Sequence, residues 1–386
     1  MRPMDLNKLK ELFVEAYGKG EVEMFFAPGR VNLIGEHIDY NGGLVLPAAL
    51  SLGIYGMKRD RDDLLIRLRS KNTSNEVIMM LDDEISYQKK DGWGNYPKGV
   101  VKKLLELGYR LKGADIMYVG NLPAGAGLSS SAAIEVLTTY MMLYGISQID
   151  RLEIAKLCQE VENLFIGVNC GIMDQFAVSM GKKDHAILLD SHNLSYEYIP
   201  FRLDGYSLLI MDTNKRRELN ESKYNERRAE CETALEEIRQ VKSIPNLCAA
   251  SLDDVSFIKE GAVRKRVIHA ITENGRVKKA VSVLIEGDLL SFGRLLSESH
   301  LSLRDNFEVT GFHLDIMVEK ALKHPACIGA RMTGAGFGGC AIALVRSDHL
   351  DSFIRTVSSG YKEKTSLDAT FYVAEISDGV KFLRRV

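Results

Sequence analysis

Six polar residues lie close together in the apolar stretch from Phe25 to Gly43, which reads FFAPGRVNLIGEHIDYNGG. They are Arg30, Asn32, Glu36, His37, Asp39 and Tyr40. Such side chains can hydrogen-bond to a polar ligand or ligate a metal ion. A metal site formed by Glu36, His37 and Asp39 would be unusual, because three ligands would lie within four residues without a distant His or Cys partner. The residue types alone do not say which ligand these side chains bind.

A loop rich in glycine and serine, GNLPAGAGLSSSAA, runs from Gly120 to Ala133. It lies between a predicted strand and a predicted helix, where glycines let the backbone approach an anion and unpaired amides point at it. The loop lacks the G-K-[ST] ending of a Walker A motif and the G-x-G-x-x-G pattern of dinucleotide binding. A tight turn with a serine cap is the competing interpretation. A second glycine-rich loop, TGAGFGG from Thr333 to Gly339, favours a nucleotide held from two sides.

Two carboxylates follow in the sequence. Glu162 lies beside an apolar stripe of helical spacing, formed by Ile154, Leu157, Cys158, Val161 and Phe165. A carboxylate at the edge of a core can be a satisfied structural acid. Asp174 lies between Met173 and Phe176, after a turn that contains glycine. Because an unpaired carboxylate is costly in such surroundings, we expect a basic or hydroxyl partner for Asp174.

These stretches together indicate a reaction class. Phosphoryl transfer from a nucleotide needs an anion cradle, a magnesium site, a carboxylate near the acceptor hydroxyl and a cation that stabilises charge. The chain offers a candidate for each of these parts.

The elements that must position these residues alternate between two periodicities along the chain. Strands are predicted at Glu23 to Ile34, Leu64 to Leu68, Asp115 to Val119, Ala186 to Leu189, Ser207 to Asp212 and Cys340 to Val345. Helices are predicted near the N-terminus and at Tyr96 to Glu106, Ser130 to Tyr144, Ile154 to Phe165, Glu221 to Gln240 and Leu314 to Lys323. The mixture indicates layered α and β structure.

Length and composition restrict the function classes. A chain of 386 residues predicts two domains with a cleft between them, and we place the boundary in the polar, loop-rich interval from Asp190 to Gly205. A formal net charge of -2 gives no general attraction for nucleic acid. The six cysteines form no C-x-x-C pair, and neither a signal peptide nor a membrane-spanning run is apparent. We therefore expect a cytoplasmic protein without a nucleic-acid or membrane partner.

The motifs resemble a known family at several ordered positions. Residues 29–40, GRVNLIGEHIDY, resemble the galactokinase signature, and the loop from Pro123 to Ala133 resembles the ATP-binding motif of the GHMP small-molecule kinases. Residues 333–340 resemble the third motif of that superfamily, and further similarity at 93–96, 170–175 and 220–228 extends the match over nearly the whole chain.

The resemblance implies an α+β fold of two domains with the active site in the cleft. An N-terminal domain like ribosomal protein S5 domain 2 would span residues 1–195 and carry the sugar signature, the ATP loop and the catalytic Asp. A ferredoxin-like GHMP domain would span 196–386 and carry the third motif. The implied activity is ATP-dependent phosphorylation of galactose at its C1 hydroxyl, the entry step of galactose catabolism, in a monomer.

The resemblance also implies roles for individual residues. Asp174 would act as general base, or would only orient the hydroxyl, and Arg30 would keep it ionised and stabilise the transferring phosphoryl group. Galactose would be bound by Glu36, His37, Asp39, Gly171, Asp174 and Tyr224. ATP would be bound by Trp93, Pro123, Gly125, Ala126, Gly127, Leu128, Ser129, Ser130, Ser131, Gly334 and Gly336. Mg²⁺ would be bound by Glu162 and a loop serine, for which we favour Ser131.

Alternatives remain at several points. Tyr224 lies on a helix with an apolar face and Trp93 is the only tryptophan, so the sequence alone favours packing for the first and allows a core role for the second. A kinase for N-acetylgalactosamine or arabinose could use the same loops. A regulatory sensor that binds galactose and ATP without chemistry is disfavoured, because Arg30, Asp174 and the serine-rich loop are all intact.

Overall fold

The computed structural model describes residues 4–123, 127–148, 150–215 and 220–386. The helices are α1 (Leu6–Tyr17), α2 (Asn95–Glu106), α3 (Ser130–Leu143), α4 (Arg151–Val161), α5 (Met173–Met180), α6 (Asn220–Arg239), α7 (Ala262–Glu286), α8 (Leu289–Ser302), α9 (Gly311–Leu322) and α10 (Leu350–Thr365). The strands are β1 (Glu23–Asn32), β2 (Leu44–Val45), β3 (Pro47–Asp60), β4 (Leu65–Ser70), β5 (Glu76–Met80), β6 (Ala114–Gly120), β7 (His185–Asp190), β8 (Tyr196–Pro200), β9 (Tyr206–Asp212), β10 (Cys327–Thr333), β11 (Cys340–Arg346), β12 (Thr370–Ala374) and β13 (Lys381–Arg385).

A six-stranded sheet in the order β13-β1-β3-β6-β4-β5 forms the centre of the N-terminal half. Only β4 and β6 are parallel neighbours in this sheet; the other neighbouring strands are antiparallel. Alternate side chains of β1 enter different cores, because successive residues of a strand point to opposite faces. Phe25 and Ala27 pack with α3, whereas Met24 and Phe26 pack with α1. The sheet therefore holds β1, and with it Arg30, between two buried layers.

Glycines in β3 allow close packing on both of its sides. A Cβ atom on Gly53 would lie 2.2 Å from the carbonyl oxygen of Ala27, and one on Gly56 would lie 2.6 Å from the sulfur of Met141. These glycines obscure the strand pattern in the sequence, which is why β3 was not among the predicted strands.

The C-terminal half is built on an antiparallel sheet of four strands in the order β10-β11-β9-β12. Helices α8 and α9 pack against β10, and α10 packs against β11. Helix α7 lies between α6 and α8 and also contacts β2 and β8. The fully buried residues of β9 and β11 belong to the largest core cluster, which continues into the N-terminal half.

Several contacts join the two halves. Strand β13 pairs with β1, and the hydroxyl of Thr333 bonds to the main chain of Asn32. A small sheet of β2, β7 and β8 lies beside them. Strand β8 (Tyr196–Pro200) occupies the middle of the interval from Asp190 to Gly205, and turns and loops fill 191–195 and 201–205. The division at 195/196 stays a prediction. Within the described ranges, no helix is long and apolar enough to cross a membrane.

Candidate active site

A cavity of about 650 Å³ lies between the two halves of the chain. Its walls include Arg30, Glu36, His37, Asp39, Glu162, Gly171, Asp174, Tyr224 and Gly334, all of them predicted site residues. The lining residues come from both halves, since Tyr224 and Gly334 follow the predicted boundary. The fold therefore brings the predicted sugar-binding residues, the catalytic pair and a metal ligand to one place.

The centre of the cavity wall is a two-pronged ion pair between Arg30 and Asp174. The Arg30 Nε atom donates to Asp174 Oδ1 and Nη2 donates to Oδ2, each at 2.7 Å. The third guanidinium nitrogen, Nη1, donates to the carbonyl oxygen of Gly127 at 2.6 Å. The Arg30 side chain is 5% exposed and that of Asp174 is 29% exposed, so the carboxylate is open to the cavity while its cation is buried behind it.

Burial alone would lower the pKa of Arg30, but the nearby carboxylates of Asp174, Glu36 and Asp39 raise it. The net shift of this pKa is upward. The guanidinium is thus a fixed positive charge between the carboxylate and the glycine-serine loop.

Ser129 adds a second donor to the same carboxylate. Its hydroxyl donates to Asp174 Oδ2, and its backbone is left-handed, with φ at 61°. Ser129 is the N-cap residue of α3, yet its side chain makes no capping hydrogen bond. The strained backbone directs the hydroxyl towards Asp174 instead. The expectation that Asp174 has a basic or hydroxyl partner is confirmed, since it has both.

Glu36 is fixed by the C-terminal half of the chain. Its Oε2 atom accepts from Arg331 Nη2 at 2.5 Å and from the amide of Gly334 at 3.0 Å. The Arg331 side chain is fully buried and also donates to the carbonyl oxygen of Leu33. Burial raises the pKa of Glu36, and Arg331 opposes that shift. The amide of Gly334, a predicted ATP contact, is engaged here by Glu36.

His37 is a neutral imidazole with one tautomer. Its Nε2 atom lies 3.2 Å from the carbonyl oxygen of Ala335, which can only accept, so Nε2 carries the proton. The Nδ1 atom then accepts from the hydroxyl of Tyr40 at 2.9 Å. Burial is the main cause that lowers the pKa of His37 to about 3. The ring lies on the cavity wall with its orientation set at both ends.

Asp39 and Gly171 are in direct contact in the wall of the cavity. A Cβ atom on Gly171 would lie 1.9 Å from Asp39 Oδ2, so glycine is required for this approach. Burial, and secondarily the charge of Asp174, raises the pKa of Asp39 to about 7. A carboxyl group with that pKa can accept from a hydroxyl or donate to one near neutral pH.

Tyr224 closes the side of the cavity formed by α6. Its ring centroid lies 5.6 Å from that of His37 and 5.5 Å from that of Tyr40. The ring therefore packs, as the sequence alone favoured, and it also lines the cavity, as the resemblance implied.

Glu162 lines the cavity and hydrogen-bonds to Ser131 of α3. It follows α4 at the start of a π-helical turn and is 8% exposed. Its Oε2 atom accepts from Gln175 Nε2 at 2.6 Å. Burial and the charge of Asp174 raise the pKa of Glu162 to about 7, and hydrogen bonding from Ser131 opposes that shift. The two predicted metal ligands are thus neighbours.

The residues predicted to bind ATP fall into three groups. Gly127, Leu128 and Ser129 contact Arg30 or Asp174, and Ser130 begins α3. Pro123 precedes them, while Gly125 and Ala126 lie outside the described residues. Trp93 packs edge-on against Tyr118 and Gly336 lies against Val309, where a Cβ would be 2.1 Å from the carbonyl oxygen. Of the described residues predicted to bind ATP, only Gly334 lines the cavity.

Sequence reasoning missed Arg331, the ion-pair partner of Glu36. The two residues are 295 positions apart, so no local pattern connects them. The available signal was an arginine in the apolar run that precedes the second glycine-rich loop. Tyr96, Cys170 and Asn225 also line the cavity, although no role was predicted for any of them.

Three family models match this chain. They are the galactokinase galactose-binding signature over residues 11–58, the N-terminal domain of GHMP kinases over 95–182 and their C-terminal domain over 280–363. A galactokinase of Clostridium tetani is 52% identical to the chain over 97% of each sequence. A galactokinase of Fusobacterium nucleatum is 50% identical, again over 97% of each.

Solved structures give a consistent result. The structure of Lactococcus lactis galactokinase complexed with galactose matches with a TM-score of 0.94 at 44% identity, covering 98% of this chain and 100% of that one. The mevalonate kinase of Methanococcus jannaschii matches with a TM-score of 0.68 at 19% identity, over 94% and 100% of the two chains. The second match is a likeness of fold alone.

Proposed function

This chain belongs to the galactokinase family, and from that membership we propose how its residues phosphorylate galactose. It has the two-domain α+β fold of the GHMP kinases, and it transfers a phosphoryl group from ATP to galactose. The finer proposals concern the hydroxyl that is phosphorylated, for which we propose C1, and the roles of the site residues. A monomeric state and a cytoplasmic location stay predictions.

The observation that carries the mechanism is the hydrogen bonding of the Asp174 carboxylate. A carboxylate oxygen accepts about two hydrogen bonds. Among the described residues, Oδ2 accepts from Arg30 and Ser129, whereas Oδ1 accepts only from Arg30 Nε. Among these residues one lone pair of Oδ1 is therefore without a donor, and the carboxylate lines the cavity. We propose that the acceptor hydroxyl of galactose donates to Oδ1, which then takes or orients its proton.

Arg30 connects this carboxylate with the nucleotide side of the site. Of the five N–H groups of a guanidinium, three are engaged by Asp174 and Gly127 among the described residues. We propose that the remaining two donate to the phosphoryl group as it moves from ATP to the sugar. A fixed cation at that point stabilises the negative charge of the transition state.

Glu162 and Ser131 fit a magnesium site. A mostly buried carboxylate and a neighbouring hydroxyl supply the hard oxygen ligands that Mg²⁺ prefers. Burial raises the pKa of Glu162, and the positive charge of a bound ion would oppose that shift and favour the ionised carboxylate. A magnesium ion bound there would neutralise charge on the nucleotide phosphates. We propose these two residues as its protein ligands.

The remaining cavity residues define the sugar subsite. Glu36 and Asp39 present carboxyl oxygens, Glu36 oriented by Arg331 and Asp39 packed against Gly171. Both ring nitrogens of His37 are engaged, by Tyr40 and Ala335, so we propose that its imidazole exchanges one of these partners for a sugar hydroxyl. A sugar with a misplaced hydroxyl would leave one of these groups unpaired, which is how polar sites discriminate between stereoisomers.

One assay tests the proposed function. ADP release is measured with magnesium, ATP and galactose, N-acetylgalactosamine, arabinose, glucose or mevalonate, and the product is analysed for the position of its phosphate. We expect the highest kcat/KM with galactose and a phosphate at C1. Galactose binding without turnover, or a phosphate at another hydroxyl, would contradict the proposal.

Replacing His37 tests the sugar loop. We expect His37→Ala to raise the galactose KM by about tenfold or more, because the sugar hydroxyl that we propose to bind the imidazole would be left unpaired, at a cost of about 2 kcal/mol. His349→Ala is the matched control, since His349 is an exposed histidine paired with Asp348. Steady-state kinetics with both substrates is the measurement. An unchanged galactose KM would remove His37 from the sugar subsite.

Replacing Gly171 tests its contact with Asp39. The φ angle of Gly171 is not in the left-handed region, so the obstacle to alanine is steric: its Cβ would lie 1.9 Å from Asp39 Oδ2. We expect Gly171→Ala to lower kcat/KM for galactose by about tenfold to a hundredfold, because Asp39 must move out of its place in the proposed sugar subsite and its hydrogen bond to the sugar is lost. Gly275→Ala is the control, because its Cβ would meet no atom within 4 Å. Equal kcat/KM values for Gly171→Ala and wild type would contradict this contact.

A further inference from the structure

A buried carboxylate of α7, which no proposed catalytic role uses, binds the main chain of the sugar loop. Glu273 is fully buried, and its Oε1 atom accepts from the amide of Gly35 at 2.9 Å and from the amide of Glu36 at 3.3 Å. The hydroxyl of Ser299 donates to the same oxygen at 2.7 Å, and Arg276 Nε donates to Oε2 at 2.7 Å. Four donors thus surround one carboxylate, and two of them belong to the loop.

A second residue of α7 holds the other end of the same peptide segment. His269 lies one helical turn before Glu273, and its Nε2 atom is 3.0 Å from the carbonyl oxygen of Glu36. Because a carbonyl oxygen only accepts, Nε2 carries the proton, and Nδ1 accepts from the hydroxyl of Ser302 at 2.9 Å. Glu36 is therefore held by its amide through Glu273 and by its carbonyl through His269.

The charges of the two α7 residues suit these contacts. Burial opposes ionisation of Glu273, but Arg276 and its other partners lower its pKa to about 2. Burial lowers the pKa of His269 to about 4, so its imidazole is neutral at neutral pH. An ionised acceptor thus faces the amides of the loop, and a neutral donor faces its carbonyl.

The backbone of the sugar loop is strained on both sides of Glu36. Gly35 has a φ of 97° and His37 has a φ of 60°, so Glu36 lies between two residues in left-handed conformations. A non-glycine residue in that region is strained and persists only where its surroundings hold it. A Cβ on Gly35 would also lie 2.7 Å from the carbonyl oxygen of Leu44, so the turn has little space to relax.

We propose that Glu273 and His269 form a clamp that positions Glu36 and His37 for galactose. Glu273 is a positioning residue, since it acts on the sugar through the loop. This inference rests on the proposed sugar subsite. The Arg30–Asp174–Ser129 contacts do not include either clamp residue, so loss of the clamp should weaken sugar binding far more than it slows phosphoryl transfer.

The test is the kinetic effect of Glu273→Gln. Glutamine can accept at only one end of its amide, so either Arg276 or the loop amides would face a donor. We expect the galactose KM to rise by about tenfold while kcat changes by less than about threefold and the ATP KM stays unchanged. Asp115→Asn is the matched control, because Asp115 is a fully buried carboxylate that accepts from Arg59 and Arg67 away from the cavity.

A second variant covers the case in which Glu273→Gln does not fold. Glu273→Asp keeps the negative charge beside Arg276 but shortens the side chain by one methylene, so it cannot reach both Arg276 and the loop amides. We expect the same selective rise in the galactose KM.

Two results would overturn the clamp. One is a galactose KM within about twofold of wild type in the folded variant. The other is a parallel rise in the ATP KM or an equal effect in Asp115→Asn, which would indicate general destabilisation. Failure of the proposed function is distinguishable, because the wild-type chain would then release no ADP with galactose.

Discussion

Asp174→Asn is expected to lower kcat by about a thousandfold while the affinity for galactose changes by less than about threefold. The amide has nearly the shape of the carboxylate, so the cavity keeps its form. It cannot take a proton from the acceptor hydroxyl. It also places an NH₂ group opposite Arg30 or Ser129, both of which donate to the carboxylate. Turnover is measured by ADP release and sugar binding by titration calorimetry.

The control for this substitution is another two-pronged pair between an arginine and an aspartate. Asp305 accepts from Arg304 Nε at 2.8 Å and from Nη2 at 3.0 Å, but it is exposed and outside the cavity wall. Asp305→Asn should leave kcat and both KM values unchanged. A loss of less than about tenfold in Asp174→Asn would exclude Asp174 as general base.

Comparison with Asp174→Ala separates the two roles that are open for this residue. If Asp174 only orients the hydroxyl, asparagine can still accept a hydrogen bond and should retain clearly more activity than alanine. If Asp174 is the base, both variants lose the proton acceptor and their kcat values should be similar. A loose transition state, which needs little early proton removal, corresponds to the first result.

The fold was predictable where hydrophobic periodicity is strong and local. The predicted helix from Ser130 to Tyr144 is observed as Ser130–Leu143, and the predicted strand from Asp115 to Val119 as Ala114–Gly120. The predicted helix from Ile154 to Phe165 ends as an α-helix at Val161 and continues as a π-helical turn. Apolar spacing does not distinguish these two geometries, because the difference lies in the hydrogen-bond pattern of a single turn.

Sheet pairing between distant segments was not predictable. Strand β13, the last strand of the chain, pairs with β1 near its start, and no local pattern encodes such a partner. Strand β3 carries glycines where the backbone of Ala27 and the side chain of Met141 approach, and those glycines interrupt its alternation. In both cases tertiary contact determined the strand.

In the candidate site, too, local residue types were predictable from the sequence and contacts between distant segments were not. The residue types in 29–40 and at Asp174 were informative, because carboxylates and a histidine in apolar surroundings need partners. The sequence did not reveal which residues those partners are. Arg331 meets Glu36 and Glu273 meets the loop amides across 295 and 238 positions. The ATP role of Ser129 stays a prediction, and the hydrogen bond of its hydroxyl to Asp174 was not predicted.

Arg30→Ala is expected to lower kcat by about a thousandfold or more, the scale at which an arginine stabilises phosphoryl transfer. The substitution removes both guanidinium donors to Asp174 and the contact with Gly127, and so disconnects the acceptor side from the glycine-serine loop. Because Arg30 is 4% exposed, the variant also leaves a cavity. Thermal unfolding is therefore measured beside kcat, and Arg69→Ala, which breaks an exposed pair with Glu76, is the control.

Arg30→Lys distinguishes charge from geometry. Lysine keeps the positive charge but cannot form the two-pronged contact, so the carboxylate would lose its fixed orientation. We expect this variant to retain more activity than Arg30→Ala and still to be about a hundredfold slower than wild type. Full activity in the lysine variant would mean that charge alone suffices. Arg30 is a cation that links Asp174 to the glycine-serine loop through Gly127, which is why we assign it this role. An unchanged rate in Arg30→Ala would mean that another residue stabilises the transferring phosphoryl group.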